Sequence, residues 1–190
     1  MTGSILDGLL FLIDTLFNIY LIILIIRLIL AWSGIHYLHP SVQVIVKLTS
    51  FVVKPLKKFL PDIRGIELAT IFLILVIASI KWTLRIWLPF AFPNLFGVLI
   101  LAFADIIHLG LQVFFYAILL QALLSWIQPG FPLNQALYQF TSPIMQPIRR
   151  LVPPISGFDI SPIPALILLQ LIIIVFIQPL MGIGWAIAHR

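Results

Sequence analysis

An all-α membrane protein with four transmembrane helices is the fold class this 190-residue sequence predicts. The helices form two tandem parallel repeats, each running helix, amphipathic interfacial helix, helix. Three observations predict it. Hydrophobic residues make up 62% of the chain and charged residues only 9%, with a mean hydropathy of +1.20, whereas a soluble domain carries about 25% charged residues. Several apolar runs approach 20 residues, which at about 1.5 Å per residue cross a hydrocarbon core of about 30 Å. The chain also matches itself: Pro40, Gln43, Thr49, Ser50, Pro55, Pro61 and Gly65 recur at a constant spacing of 92 as Pro132, Gln135, Thr141, Ser142, Pro147, Pro153 and Gly157. At that spacing Lys57-Lys58 meets Arg149-Arg150, and Glu67 meets Asp159. Upstream, Arg27 to Trp32 align with Gln121 to Trp126 once two residues are dropped from the second copy.

Residues 9–31, interrupted only by Asp14, Thr15, Asn18 and Arg27, form the first span. The run is too long for a signal-peptide core and lacks a basic leader, so it is expected to stay in the mature protein. Residues 33–40 read as a connector. Over 41–60 the polar residues Gln43, Lys47, Ser50, Lys54 and Lys57 fall on one helical face, as do Gln135, Gln139, Ser142, Gln146 and Arg149 over 133–152. These segments are too polar on that face to span and are expected to lie in the interface plane. Pro55 and Pro147 predict two short helices or one kinked helix in each, and Ser142-Pro143 reads as an N-cap and first helical residue. Gly65 and Gly157 close the elements, and Glu67 and Asp159 stand at the next helix N-termini, where negative charge is favoured. The second span covers 68–88, the third 103–126 and the fourth 162–181, opened by Ser161-Pro162. Residues 94–102 read as an apolar re-entrant or interfacial lead-in, and the repeats divide as 1–92 and 93–190.

Charge sets the expected topology. Arg27, Lys47, Lys54, Lys57, Lys58, Arg64, Arg149 and Arg150 lie on the connector side, against Lys81, Arg85 and Arg190 on the other. The positive-inside rule then puts the connectors in the cytoplasm and both termini outside. Trp32 and Trp126 fall at the inner interface, and Trp82, Trp87 and Trp185 at the outer one, as aromatic belts require. Two spans per copy give both copies one orientation, hence a pseudo-two-fold axis along the membrane normal.

A span ending in Trp, then Thr141-Ser142-Pro143, Pro147-Ile148-Arg149-Arg150-Leu151-Val152-Pro153 and Gly157-x-Asp159, resembles the YggT (YlmG) family of bacterial membrane proteins. Ser50 and Ser142 stand where that family often has an acid, the first copy has Phe51 for Pro, and Lys57-Lys58 replaces the Arg pair. The resemblance implies a small bacterial inner-membrane protein linked to osmotic or salt stress and to cell division. Its plastid members are similar to factors for haem attachment to a membrane cytochrome and for nucleoid distribution.

Lys54, Lys57, Lys58, Arg149 and Arg150 are the candidate lipid- or partner-binding set. They read either as headgroup contacts worth about 1 kcal/mol each or as a docking surface for an acidic cytoplasmic partner. Asp14 and Asn18 align with His108 and Gln112, predicting a polar seam in which Asp14 faces His108 across the axis. That seam reads as helix-helix glue or as a proton or ion path. Asp105 can pair with His108 one turn away. Arg27, aligned with Gln121, reads as a snorkelling anchor or a ligand contact. His36 and His39 lack a third ligand, so no metal site is assigned.

With no Cys, disulfides and Cys nucleophiles are excluded from this sequence. No acid–base pair, triad or phosphate loop identifies a catalytic residue, and no cofactor is expected. A non-enzymatic scaffold or assembly factor fits best, with an oligomeric channel or transporter as the alternative. The expected partners are anionic headgroups, a cytoplasmic or membrane protein, and further copies of the chain; the basic residues are too few to predict nucleic acid.

Overall fold

The computed structural model describes residues 2–32, 40–60, 62, 67–89, 92–128, 132–152 and 159–190. Among them every regular element is helical. In order these are α1 (Thr2–Trp32), α2 (Pro40–Lys57), α3 (Leu68–Trp87), α4 (Leu95–Ile127), α5 (Pro132–Leu151), α6 (Pro162–Ile172) and α7 (Gln178–Ala188). A π-helical turn, Ile173–Ile177, joins α6 to α7. Four stretches are long and apolar enough to cross a membrane: Ile5–Trp32, Leu68–Trp87, Leu95–Ile127 and Pro162–Ala188. Their outward faces carry exposed Phe11, Leu16, Phe103 and Phe176, the surface a bilayer covers. The chain has the build of a multi-pass membrane protein.

α4 is the hub, touching α1, α3, α5, α6 and α7, while α1 also packs along α3. Leu21, Leu24, Ile74, Ile86, Val98 and Leu101 form the main core between them. Residues 94–102, expected as a re-entrant or interfacial lead-in, are the cap and first turns of α4 itself: Asn94 caps the helix by accepting from the Phe96 amide at 2.9 Å and no proline follows until after Trp126. The resulting 33-residue helix exceeds what a bilayer requires because its first turns are a packing surface for α7. There a Cβ on Gly97 would lie 2.3 Å from the Ala188 backbone nitrogen, and one on Gly184 would lie 2.9 Å from Leu101 Cγ. The Asn94 amide donates to the Ala188 carbonyl at 3.0 Å across the same seam. Small residues let two helices approach this closely where no hydrophobic force drives them together.

The fourth span also runs on past 181, to Ala188. Pro179 has no amide hydrogen and crowds the carbonyl one turn before it. The π turn lies at that carbonyl, and the Gln178 amide reaches back to the Ile173 carbonyl. α2 and α5 are single helices that continue through Pro55, Pro143 and Pro147. Ser142 is therefore no N-cap, and its hydroxyl donates to the Gln139 carbonyl at 2.8 Å.

α2 presents three faces. Ile45, Val46, Val53 and Leu56 pack on the core, Val44, Leu48 and Phe51 are exposed, and Gln43, Lys47 and Lys54 form a polar exposed edge. A helix with one apolar face on protein and a second one bare beside a charged edge suits an interface plane. Residues 33–39 with His36 and His39, together with Pro61, Arg64, Gly65, Pro153 and Gly157, lie outside the described residues.

Candidate functional site

Where α1 ends and α3 begins, a buried polar cluster ties three helices together. Arg27, with a side chain only 5% exposed, donates from Nε to Glu67 Oε2 at 2.7 Å and from Nη2 to Glu67 Oε1 at 3.2 Å. Its Nη1 donates to Thr49 Oγ1 on α2 at 2.7 Å, and Thr49 in turn donates to the Ile45 carbonyl. Lys57 Nζ and Thr70 Oγ1 also donate to Glu67, each at 2.7 Å, and Lys57 reaches Asp62 at 2.9 Å. Burial alone would raise the Glu67 pKa, but the hydrogen bonds from Arg27, Lys57 and Thr70 outweigh it and hold the group at about 2. Burial would likewise lower that of Lys57, yet its bonds to Asp62 and Glu67 raise it. Arg27 thus acts as a bidentate staple, which differs from the snorkelling anchor expected of it.

Positions 92 or 94 further along build a second cluster with fewer charges. Thr141 Oγ1 donates to Gln121 Oε1 at 2.6 Å, and Arg149 Nε pairs with Asp159 Oδ2 at 3.0 Å. The Ser161 amide donates to Asp159 Oδ1 at 3.0 Å, and the Ser161 hydroxyl donates to the same oxygen. Burial pushes the Asp159 carboxyl up, but these bonds together bring it below its ordinary value. The Arg149 guanidinium lies over the Tyr138 ring, 4.4 Å from its centroid.

Deeper in the bundle, α1 and α3 run antiparallel and present complementary polar pairs. Asp14 pairs with Arg85. One turn on, Asn18 Oδ1 accepts from Lys81 Nζ at 2.9 Å, and Lys81 also pairs with buried Asp105 on α4. The polar seam between Asp14 and His108 is therefore corrected: no hydrogen bond or ion pair links them among the described residues. An arginine on the adjacent helix is a stronger counter-charge for Asp14 than an imidazole would be. His108 is half-buried one turn from Asp105, and half-buried Gln112 lines an apolar groove with Ile22 and Ile26. No group of three His, Cys, Asp or Glu with metal-holding geometry occurs among the described residues.

The basic set divides in two. Lys57 and Arg149 turn inward to Glu67 and Asp159, whereas Lys54, Lys58 and Arg150 are exposed and make no ion pair among the described residues. Sequence reasoning treated Lys81 and Arg85 as topology markers, Glu67 and Asp159 as acids at helix N-termini, and the two threonines as repeat landmarks. The signal was present in the matched spacings: Asp14 and Asn18 are one turn apart, as are Lys81 and Arg85.

A family model described as CCB3/YggT matches residues 6–88 and 100–180. A Vibrio alginolyticus protein described as uncharacterized, in the proC 3′ region, is 33% identical over 163 residues, covering 84% of this chain and 88% of that protein. Escherichia coli K12 YggT, also described as uncharacterized, is 30% identical over 165 residues, 85% of either chain. An uncharacterized protein of Haemophilus influenzae is 32% identical over 177 residues, 93% of this chain and 94% of its own. No solved structure matches the chain.

Proposed function

The chain belongs to the CCB3/YggT family, and on that premise we propose that it is a non-enzymatic scaffold or assembly factor of the bacterial inner membrane. In this reading it is built as two tandem parallel repeats with the connectors in the cytoplasm and both termini outside. Supporting the repeat, aligned positions build clusters of one design: Thr49 with Arg27 and Glu67 with Lys57, then Thr141 with Gln121 and Asp159 with Arg149. The observation that carries the scaffold reading is the division of charge. Asp14, Arg85, Lys81 and Asp105 neutralise one another between helices, while Lys54, Lys58 and Arg150 are left outward at the C-terminal ends of the amphipathic helices and make no ion pair among the described residues. Paired intramembrane charges act as glue, and unpaired interfacial cations are what a headgroup or an acidic partner surface engages.

The test is photo-crosslinking in cells from the neighbouring exposed positions Lys47 and Gln146, with and without osmotic upshift, beside ion and osmolyte flux in liposomes holding only this protein, with Lys54, Lys58 and Arg150 as the positions varied. A reproducible protein adduct that is lost in a triple Glu variant, with no flux, is the expected result. Flux above protein-free liposomes, with no adduct, would replace the scaffold with an oligomeric channel.

A further inference from the structure

The two polar clusters differ by one complete pair of charges. The first holds two cations and two acids, Arg27 and Lys57 with Glu67 and Asp62. In the second, Gln121 stands for Arg27 and Pro154 for Asp62, which leaves only Arg149 and Asp159. Where the shorter, uncharged Gln121 replaces the arginine, there is a cavity of about 220 Å³ lined by Gln121, Ser125, Asn134, Tyr138, Arg149 and Asp159. That is below the roughly 300–1,000 Å³ of sites for drug-sized molecules and suits a single headgroup. Arg149 Nη1 is buried and makes no hydrogen bond among the described residues, and a buried donor without an acceptor is costly. The cavity sits at the end of α4 beside Trp126, the depth at which lipid headgroups and interfacial tryptophans meet.

We propose that this cavity binds a compact zwitterion bearing a primary ammonium and a phosphate. The ammonium lies beside Asp159 as the Arg27 guanidinium lies beside Glu67, and a phosphate oxygen meets Arg149. The ligand supplies both charges that the second cluster lacks, so the site stays neutral when filled; a bare cation or a bare anion would leave it charged. A primary ammonium is required because it donates hydrogen bonds to the carboxylate, which a quaternary one cannot. Two sources carry this chemistry, an aminophospholipid headgroup and a free phosphodiester solute such as glycerophosphoethanolamine. The proposal goes beyond the scaffold reading and does not depend on it.

The test uses the full chain in detergent, with native mass spectrometry of retained phosphatidylethanolamine, phosphatidylcholine and phosphatidylglycerol, and titration with soluble glycerophosphoethanolamine. The expected result is retention of phosphatidylethanolamine over the other two by about tenfold or more, as one charge-assisted hydrogen bond provides. Competition by glycerophosphoethanolamine would assign the site to a free solute, and its failure to compete would assign it to the lipid. Gln121→Arg, which rebuilds the first cluster's pair within the second, is expected to abolish the preference while leaving thermal stability equal or higher. Should that variant not fold, Ser125→Phe, from an exposed position, blocks the same space. Equal retention of the three lipids without glycerophosphoethanolamine binding, or an unchanged preference in a folded blocking variant, would overturn the proposal.

Discussion

Replacing Glu67 by Gln isolates what the first polar cluster contributes. The carboxylate accepts four hydrogen bonds, two from Arg27 and one each from Lys57 and Thr70, and the Arg27 side chain is only 5% exposed. The amide would keep the shape but remove the counter-charge, leaving a buried guanidinium uncompensated, which typically costs about 3–5 kcal/mol. The titration of Glu67 supplies a separate figure. A fall from the ordinary 4.5 to about 2 corresponds to about 3 kcal/mol at 1.36 kcal/mol per pH unit. Because the folded-state value is depressed, this stabilisation is fully present above pH 4.5 and is lost as pH falls towards 2. The assay is reversible unfolding by SDS in mixed micelles across that range, for wild type, Glu67→Gln, Arg27→Met and the double variant. We expect each single variant to lose several kcal/mol and the double to lose less than their sum, since it buries no lone charge. Single variants within about 1 kcal/mol of wild type, the scale of an exposed ion pair, would refute the reasoning.

Lys81→Met is expected to destabilise by about 3–5 kcal/mol by stranding Asp105, and adding Asp105→Leu to recover most of the loss in the same assay. Gly97→Val is expected to open the contact between α4 and α7, because its Cβ would meet the Ala188 backbone at 2.3 Å; a crosslink between cysteines placed at 94 and 188 should then fall sharply. Gly110→Ala, with nothing within 4 Å of the added Cβ, is expected to stabilise the helix by up to about 1 kcal/mol, read as a higher Tm. Lys54→Glu with Lys58→Glu is expected to weaken adhesion of the α2 surface to anionic vesicles by about 1 kcal/mol for each cation removed, with the difference vanishing at high salt.

The helices and the two amphipathic segments could be read from the sequence because apolar run length and periodicity are local properties. What could not be read locally was partnership. Spacing paired Asp14 with the aligned His108, and only the antiparallel register of α1 on α3 brings it to Arg85 instead. The extent of α4 failed for a related reason: bilayer thickness bounds a span, but the first turns of this helix are held by α7, which comes more than 80 residues later. Recurrence carried information that went unused. Thr49 and Thr141, and Glu67 and Asp159, recur because each anchors an amphipathic helix to its span.

The seam of α4 on α7 also sets an order of events during synthesis. Gly97 and Gly184 are separated by 87 positions, so at about 5–20 residues per second α4 waits on the order of 5–20 s for its partner. For that interval Gly97 and Ile100, which meet Ala188 and Gly184 in the finished bundle, have only lipid or the insertion machinery on that side. The half-made chain is thus a distinct species with a helix flank uncovered, and a protease or chaperone that recognises that flank would act on nascent chains while ignoring mature ones.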